Sequence, residues 1–156
     1  MPANLAPGKK APDFELPSDG GGTVRLGDFK GQKLVVYFYP KADTPGCTKE
    51  SIAFSKLKAA FAKANTVVLG VSADPVAAQD AFKKKHSLKV PLGSDENRKM
   101  LKDYDAWGEK SMYGRKFMGI IRSTVLIDDK GRVARVWPKV RVDGHAEEVL
   151  EAAREL

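Results

Sequence analysis

Cysteine is almost absent from this chain: among 156 residues there is one, Cys47. A lone thiol excludes an internal disulfide, a Cys-x-x-Cys redox pair and any multi-cysteine zinc site. Histidine is scarce as well. The two present, His86 and His145, have no acidic cluster to complete a metal site, so no metal and no cofactor is expected. No run approaches the roughly 20 apolar residues that a bilayer span requires, and residues 1–8 lack the apolar stretch of a signal peptide. Low-complexity segments, internal repeats and interdomain linkers are missing too. What is present is 42% hydrophobic content, enough for one domain over residues 1–156 with a real core. A reducing, cytoplasmic setting with no membrane partner follows as the expectation, and it suits a thiol that must be regenerated.

Positive charge is in excess, with 27 Lys and Arg against 20 Asp and Glu and a formal net charge of +7. The cations are spread along the chain. Their one run, Lys83-Lys84-Lys85, falls on an expected helix and reads as a solvated face. A nucleic-acid surface would gather basic residues into a patch, so no nucleic-acid partner is expected. The charge favours anionic thiols or acidic proteins instead.

Residues 1–12, rich in Pro, Gly and Lys, read as an N-terminal arm. Gly20-Gly21-Gly22 precedes a short strand at 23–26, and 33–39 is a strand with almost no polar side chain, which fits burial on both faces. Phe54, Leu57 and Phe61, spaced by three and four, make the apolar stripe of a helix over 45–65. A β-branched strand at 66–71 leads to a second helix, with Asp74 as N-cap and Pro75 as first residue. A short strand at 88–92 and a helical element at 94–104 come next. Strands at 122–127 and 132–137 flank Asp128-Asp129-Lys130-Gly131, the composition of a hairpin turn, and a last helix covers 145–156. Alternating strands and helices imply a parallel region, to which the hairpin adds antiparallel strands. The expected fold is α/β, a central mixed β-sheet flanked by helices, and its order resembles the thioredoxin-like architecture.

Cys47 follows the strand at 33–39 after a turn-rich loop, at the start of the next helix. Thr44 suits the N-cap of that helix and Pro45 its first position, where a missing N–H costs nothing. Cys47 then falls in the first turn, where free backbone N–H groups and the helix dipole favour a negative charge. Such surroundings favour the thiolate, the form that attacks electrophiles. Open α/β sheets place their chemistry at the carboxyl ends of central strands, as here.

Pro40, Thr44 and Cys47 reproduce the Pro-x-x-x-Thr-x-x-Cys signature, and with it the chain resembles the peroxiredoxins. The run 113–128, containing Arg122-Ser123-Thr124, and Trp137-Pro138-Lys139-Val140 followed by Gly144-His145 are similar to that family too. Together these segments resemble the Q-type subgroup, also called bacterioferritin comigratory proteins, from about residue 11 to the C-terminus. The resemblance implies a thioredoxin-like fold and a thiol-dependent peroxidase in which Cys47 attacks a peroxide oxygen and becomes a sulfenic acid. It implies that the Thr44 hydroxyl bonds the thiolate or the peroxide, beside its N-cap role, and that Pro40 shields the thiolate as well as ending the strand. Arg122, a permanent cation at a strand start, would stabilise the thiolate and the charge developing on the peroxide. Glu50 either orients Arg122 or stays a surface charge. His86 and His145 read as structural or surface residues, and Trp107, Tyr113, Phe117 and Met118 as packing residues rather than a lining of the approach to Cys47.

Many Q-type members carry a resolving cysteine five residues after the first, where this chain has Ile52, or on the following helix, in the region 82–85, where it has none. The expected cycle therefore needs an external thiol: thioredoxin, glutathione with glutaredoxin, or another low-molecular-weight thiol. The alternative in the binding class is a redox sensor using the same thiol without turnover. A monomer is expected, with a dimer as the alternative.

Overall fold

The computed structural model describes residues 5–156. β1 (Glu15–Pro17) and β2 (Thr23–Arg25) pair as a small antiparallel hairpin. β3 (Lys33–Phe38) is followed by α1 (Pro45–Lys56), α2 (Lys58–Lys63), β4 (Thr66–Ser72), α3 (Val76–His86), β5 (Leu92–Ser94) and α4 (Lys99–Asp103). A second hairpin, β6 (Trp107–Met112) with β7 (Arg115–Ile120), precedes β8 (Ser123–Ile127), β9 (Val133–Trp137) and α5 (His145–Glu155). The main sheet runs β5-β4-β3-β8-β9. β3, β4 and β5 are parallel, β8 is antiparallel to β3, and β9 is antiparallel to β8. This is the mixed sheet that the alternation of elements implies.

Strand pleating sends alternate residues of β3 to opposite faces, and both faces are covered. Leu34, Val36 and Phe38 join Leu69, Val71, Val125 and Ile127 in one core layer, together with Leu5, Phe14 and Tyr104. Val35 and Tyr37 join Val68 and Leu126 in the other, under Phe54, Phe61, Phe82, Val149 and Leu150 from the helices. Each such side chain contributes about 1.5–3 kcal/mol on burial. α5 docks through His145, Ala146, Val149, Leu150 and Ala153, a spacing of three and four that makes one apolar stripe. Cys47 belongs to this helical layer.

Several elements depart from the sequence expectation, each for a local reason. The helix expected over 45–65 is interrupted at Leu57, whose N–H closes a tight bond to Phe54 O at 3.1 Å; Phe54 and Phe61 still reach the same layer. Asp74 does not cap α3. Pro75 holds that position with extended backbone, because the Asp74 carboxylate already accepts from the Ala42 N–H and the Ser72 hydroxyl, both at 2.8 Å. β5 lies at Leu92–Ser94 rather than 88–92: Leu88 and Val90 fill the helical layer from irregular chain, and Pro91 has no N–H for a ladder. The helical element expected at 94–104 shrinks to α4, since Asp95 N–H bonds Ser72 O at 2.8 Å and prolongs the sheet edge. The hairpin β6–β7 was not expected at all. Of the expected arm, residues 1–4 lie outside the described residues. The rest is tied down, with Gly8 N–H on Val133 O at 2.8 Å, Ala11 N–H on Gly131 O at 2.9 Å, and Leu5 in the core.

Gly70 on β4 shows how tightly the helical layer is filled. A Cβ there would sit 2.6 Å from the ring of Tyr37 and 3.0 Å from Leu92. Tyr37 has nowhere to go: it is fully buried, stacked on Phe54 at 4.6 Å, and its hydroxyl bonds Ser51 Oγ at 2.9 Å. Gly70→Ala is expected to lose about 1–3 kcal/mol by overpacking, read as a lower midpoint in denaturant unfolding at unchanged slope.

Candidate active site

The site is built at the carboxyl end of β3. The pairing continues one residue past the strand, with Tyr39 N–H on Val71 O at 3.1 Å, and half-buried Pro40 then turns the chain out of the sheet. Two neighbours hold the loop 40–44. Asp74 takes the Ala42 N–H, and Asp43, in left-handed backbone at φ 63°, accepts from Lys85 Nζ at 2.9 Å and meets His86 Nε2 at 2.8 Å. The loop thereby delivers Thr44 to the position before α1 and Pro45 to its first residue, as expected.

Thr44 does not cap the helix through its side chain. Its hydroxyl donates instead to Lys41 O at 2.7 Å. The first intrahelical bond is Thr48 N–H to Thr44 O at 2.9 Å, so the amides of Gly46 and Cys47 lie ahead of it and have no carbonyl acceptor within α1. Cys47 itself, in that first turn, is completely buried, with 0% of the residue exposed.

Arg122 reaches it from just ahead of β8. One guanidinium nitrogen, Nη2, donates to Cys47 Sγ at 3.3 Å; the other, Nη1, donates to Glu50 Oε1 at 2.7 Å. The arginine side chain is 19% exposed and the glutamate 2%, so the surface-charge alternative for Glu50 does not hold. Burial pushes the Glu50 carboxyl from its ordinary 4.5 up to about 7, against the opposing pull of Arg122. For Arg122, burial works downward but the charges of Glu50 and Cys47 outweigh it, and the guanidinium ends above its ordinary value. Glu50 Oε2 is buried without a hydrogen-bond partner among the described residues.

The remaining candidates separate cleanly. His86 pins Asp43 on the last turn of α3. His145 is buried edge-on to Phe54 and Trp137 and shares a 2.8 Å hydrogen bond with Thr124 Oγ1, and burial lowers it to about 4. Both are structural, as the sequence suggested. Trp107 is half-buried beneath the Arg98 guanidinium at 4.8 Å, a packing role. Tyr113, Phe117 and Met118 are exposed on the second hairpin, so the packing expectation fails for them. Ile52 packs against the helical layer, and Lys83, on α3, bonds Asp19 at 2.8 Å. No group of metal-ligating side chains occurs among the described residues. Sequence reasoning missed Gly46, where a Cβ would lie 3.1 Å from Arg122 Nη2. It also missed Asp74 and Asp43 as anchors of the loop; an acidic residue beside a turn carries no signal of which distant amide or cation it will meet.

A buried thiol at a helix start thus meets an arginine at the end of a mixed α/β sheet. Residues 7–136 match the model of the AhpC/TSA family. The chain is 44% identical to the peroxiredoxin Bcp of Bacillus subtilis over 149 residues, covering 96% of this chain and 95% of that protein. It superposes on a Cys→Ser mutant of Xylella fastidiosa PrxQ with a TM-score of 0.93 at 37% identity, covering 99% of this chain and 98% of the other. For Xanthomonas campestris peroxiredoxin Q the TM-score is 0.87 at 42% identity, over 91% and 90% of the two chains. The chain belongs to the AhpC/TSA family, and within it to the peroxiredoxins of the Bcp/PrxQ group.

Two outcomes follow from the geometry. Gly46→Ala puts a methyl 3.1 Å from Nη2, so the guanidinium must give by a few tenths of an ångström beside the sulfur while the helix itself is favoured. Peroxide oxidation of Cys47 is expected to slow by about two- to tenfold, measured by stopped flow, with little change in melting temperature because the Arg122–Glu50 pair stays intact. For Glu50, the folded carboxyl holds a proton that the unfolded one has lost over the window from 4.5 to about 7. Unfolding free energy contributed by this group therefore falls as pH rises through that window and is constant above it. Glu50→Gln is expected to remove that downward slope, checked by urea titrations across the window.

Proposed function

We propose that this chain is a thiol-dependent peroxidase that reduces hydrogen peroxide and small organic hydroperoxides through a sulfenic acid on Cys47. The observation that carries the reading is the Arg122 contact: a guanidinium 3.3 Å from Sγ, itself held by buried Glu50. The thiolate is the form of a cysteine that attacks an electrophile, and a cation in contact with the sulfur complements its charge. The thiolate attacks one peroxide oxygen, an S–O bond forms, the O–O bond breaks, and the departing alkoxide or hydroxide takes a proton to leave as alcohol or water. Arg122 lies where negative charge shifts from sulfur to oxygen, so it serves reactant and transition state in turn.

Thr44 has its proton committed to the Lys41 carbonyl, which leaves its oxygen as an acceptor for the O–H of a hydroperoxide. Pro40, half-buried at the end of β3, shields the sulfur from water. The sequence has no second cysteine, so the sulfenic acid is resolved from outside. An external thiol displaces water to give a mixed disulfide, and a second thiol releases Cys47 with a disulfide as the other product. Thioredoxin, glutathione with glutaredoxin, or another low-molecular-weight thiol supplies the electrons, in a reducing compartment such as the cytoplasm.

The test is peroxide consumption by wild type and Cys47→Ser with each of these reductants in turn. Sustained turnover by wild type with at least one of them is expected, with a loss of about a thousandfold or more in the variant. In the same samples without reductant, intact mass is expected to show one added oxygen and then two as peroxide is raised, because the sulfenic acid has no internal partner. Oxidation of Cys47 without turnover under any reductant would assign the thiol to sensing instead.

A further inference from the structure

The hairpin β6–β7 exposes four of the five large apolar side chains that are open to solvent among the described residues: Met112 at 56%, Tyr113 at 97%, Phe117 at 43% and Met118 at 56%. Such concentration on one small element marks an interaction surface, since scattered apolar residues need no explanation but a cluster does. Only the base of the hairpin is engaged, where Ile120 enters the core, Trp107 packs against it, and Ile121 N–H bonds Ala106 O at 2.7 Å.

The register shows how the exposed residues are disposed. Glu109 pairs with Met118, Lys110 with Phe117, and Met112 with Arg115. Alternation then puts Met118 on one face and Met112 with Phe117 on the other, while Tyr113 stands at the tip. The turn is tight, with Tyr113 at φ 53° and Gly114 at φ 76°. A bulky side chain in left-handed backbone is strained, and here nothing in the fold rewards it, since the ring is almost wholly in solvent. Arg115 and Lys116 flank the tip, exposed; Lys116 pairs with Glu109 at 3.7 Å.

We propose that this hairpin is a membrane-contact device that inserts its tip into the interface of an anionic phospholipid bilayer. A protein partner would cover one face; apolar side chains on both faces and the tip suit a medium that surrounds the hairpin. Tyr and Met sink to the interfacial level while Arg115 and Lys116 meet lipid phosphates. The chain's net charge of +7 favours an anionic surface and opposes a second copy of itself. The expectation of no membrane partner came from the lack of a spanning segment, and no described helix is long and apolar enough to cross a bilayer. A hairpin that lies in the interface needs no such helix. Arg122 follows the base of the hairpin, so insertion of the tip would hold the site about 20 Å from the bilayer, the length of β7.

The experiment is co-flotation with vesicles of equal parts phosphatidylglycerol and phosphatidylcholine, against vesicles of phosphatidylcholine alone. Wild type is expected to partition about tenfold more strongly into the anionic vesicles. Met112→Ser/Phe117→Ser/Met118→Ser, at unchanged net charge, is expected to lose most of that gain, and so is Tyr113→Ser, which removes a side chain the fold does not use. Far-UV circular dichroism establishes that each variant is folded, and the single variant decides if the triple one is not. Cys47→Ser is expected to float like wild type, so this result stands apart from that of the peroxidase assay. Equal partition of wild type and both variants would reduce the effect to general charge attraction and overturn the proposal. So would a wild type that ignores vesicles while binding an acidic thiol-reducing protein through the same residues.

Discussion

Everything at the site depends on one guanidinium shared between a sulfur and a carboxylate. Arg122 is close enough to both Cys47 and Glu50 to satisfy them, and it is largely withdrawn from water. Taking such charges out of solvent is expensive, and breaking a buried pair by removing one member costs on the order of 3–5 kcal/mol. The arrangement is thus stable only as a set. It also explains why the carboxylate lies on the helix of the cysteine: Glu50 is three residues past Cys47, on the same side of α1, and one arginine can span the two.

Arg122 and Cys47 are 75 residues apart in sequence, and the sheet brings them together. β8 runs antiparallel to β3 with Ser123 opposite Phe38, so the start of one strand lies beside the end of the other. Arg122 leaves the sheet just where the loop toward Cys47 begins. The loop is then held by polar contacts to Asp74 and to the last turn of α3, which adds precision that the sheet alone does not supply. Gly46 is part of the same fit, because a Cβ there would lie 3.1 Å from the guanidinium and crowd it.

Much of this was legible in the sequence. The unbroken apolar run of β3, the Thr44-Pro45 helix start, the turn before β9 and the amphipathic last helix are strong local signals, and they located Cys47 correctly. The hairpin β6–β7 was not legible. Its strands mix Lys, Glu, Ser and Met without apolar alternation because most of it is not buried, and its turn carries Tyr113 where Asn or Asp ordinarily announces a hairpin. Glu50 was ambiguous for a different reason: a charged residue in an early helical turn looks like surface until its tertiary partner is known. The Asp74 cap was a fair local reading that lost to a distant competitor, the amide of Ala42.

With Cys47 completely buried, nothing as large as water touches its side chain in this conformation. Hydrogen peroxide, and still more any bulkier electrophile, meets the sulfur only when a neighbouring group moves aside. The rate at which any outside reagent meets Sγ is therefore set by how often these surroundings open as well as by the chemistry of the sulfur.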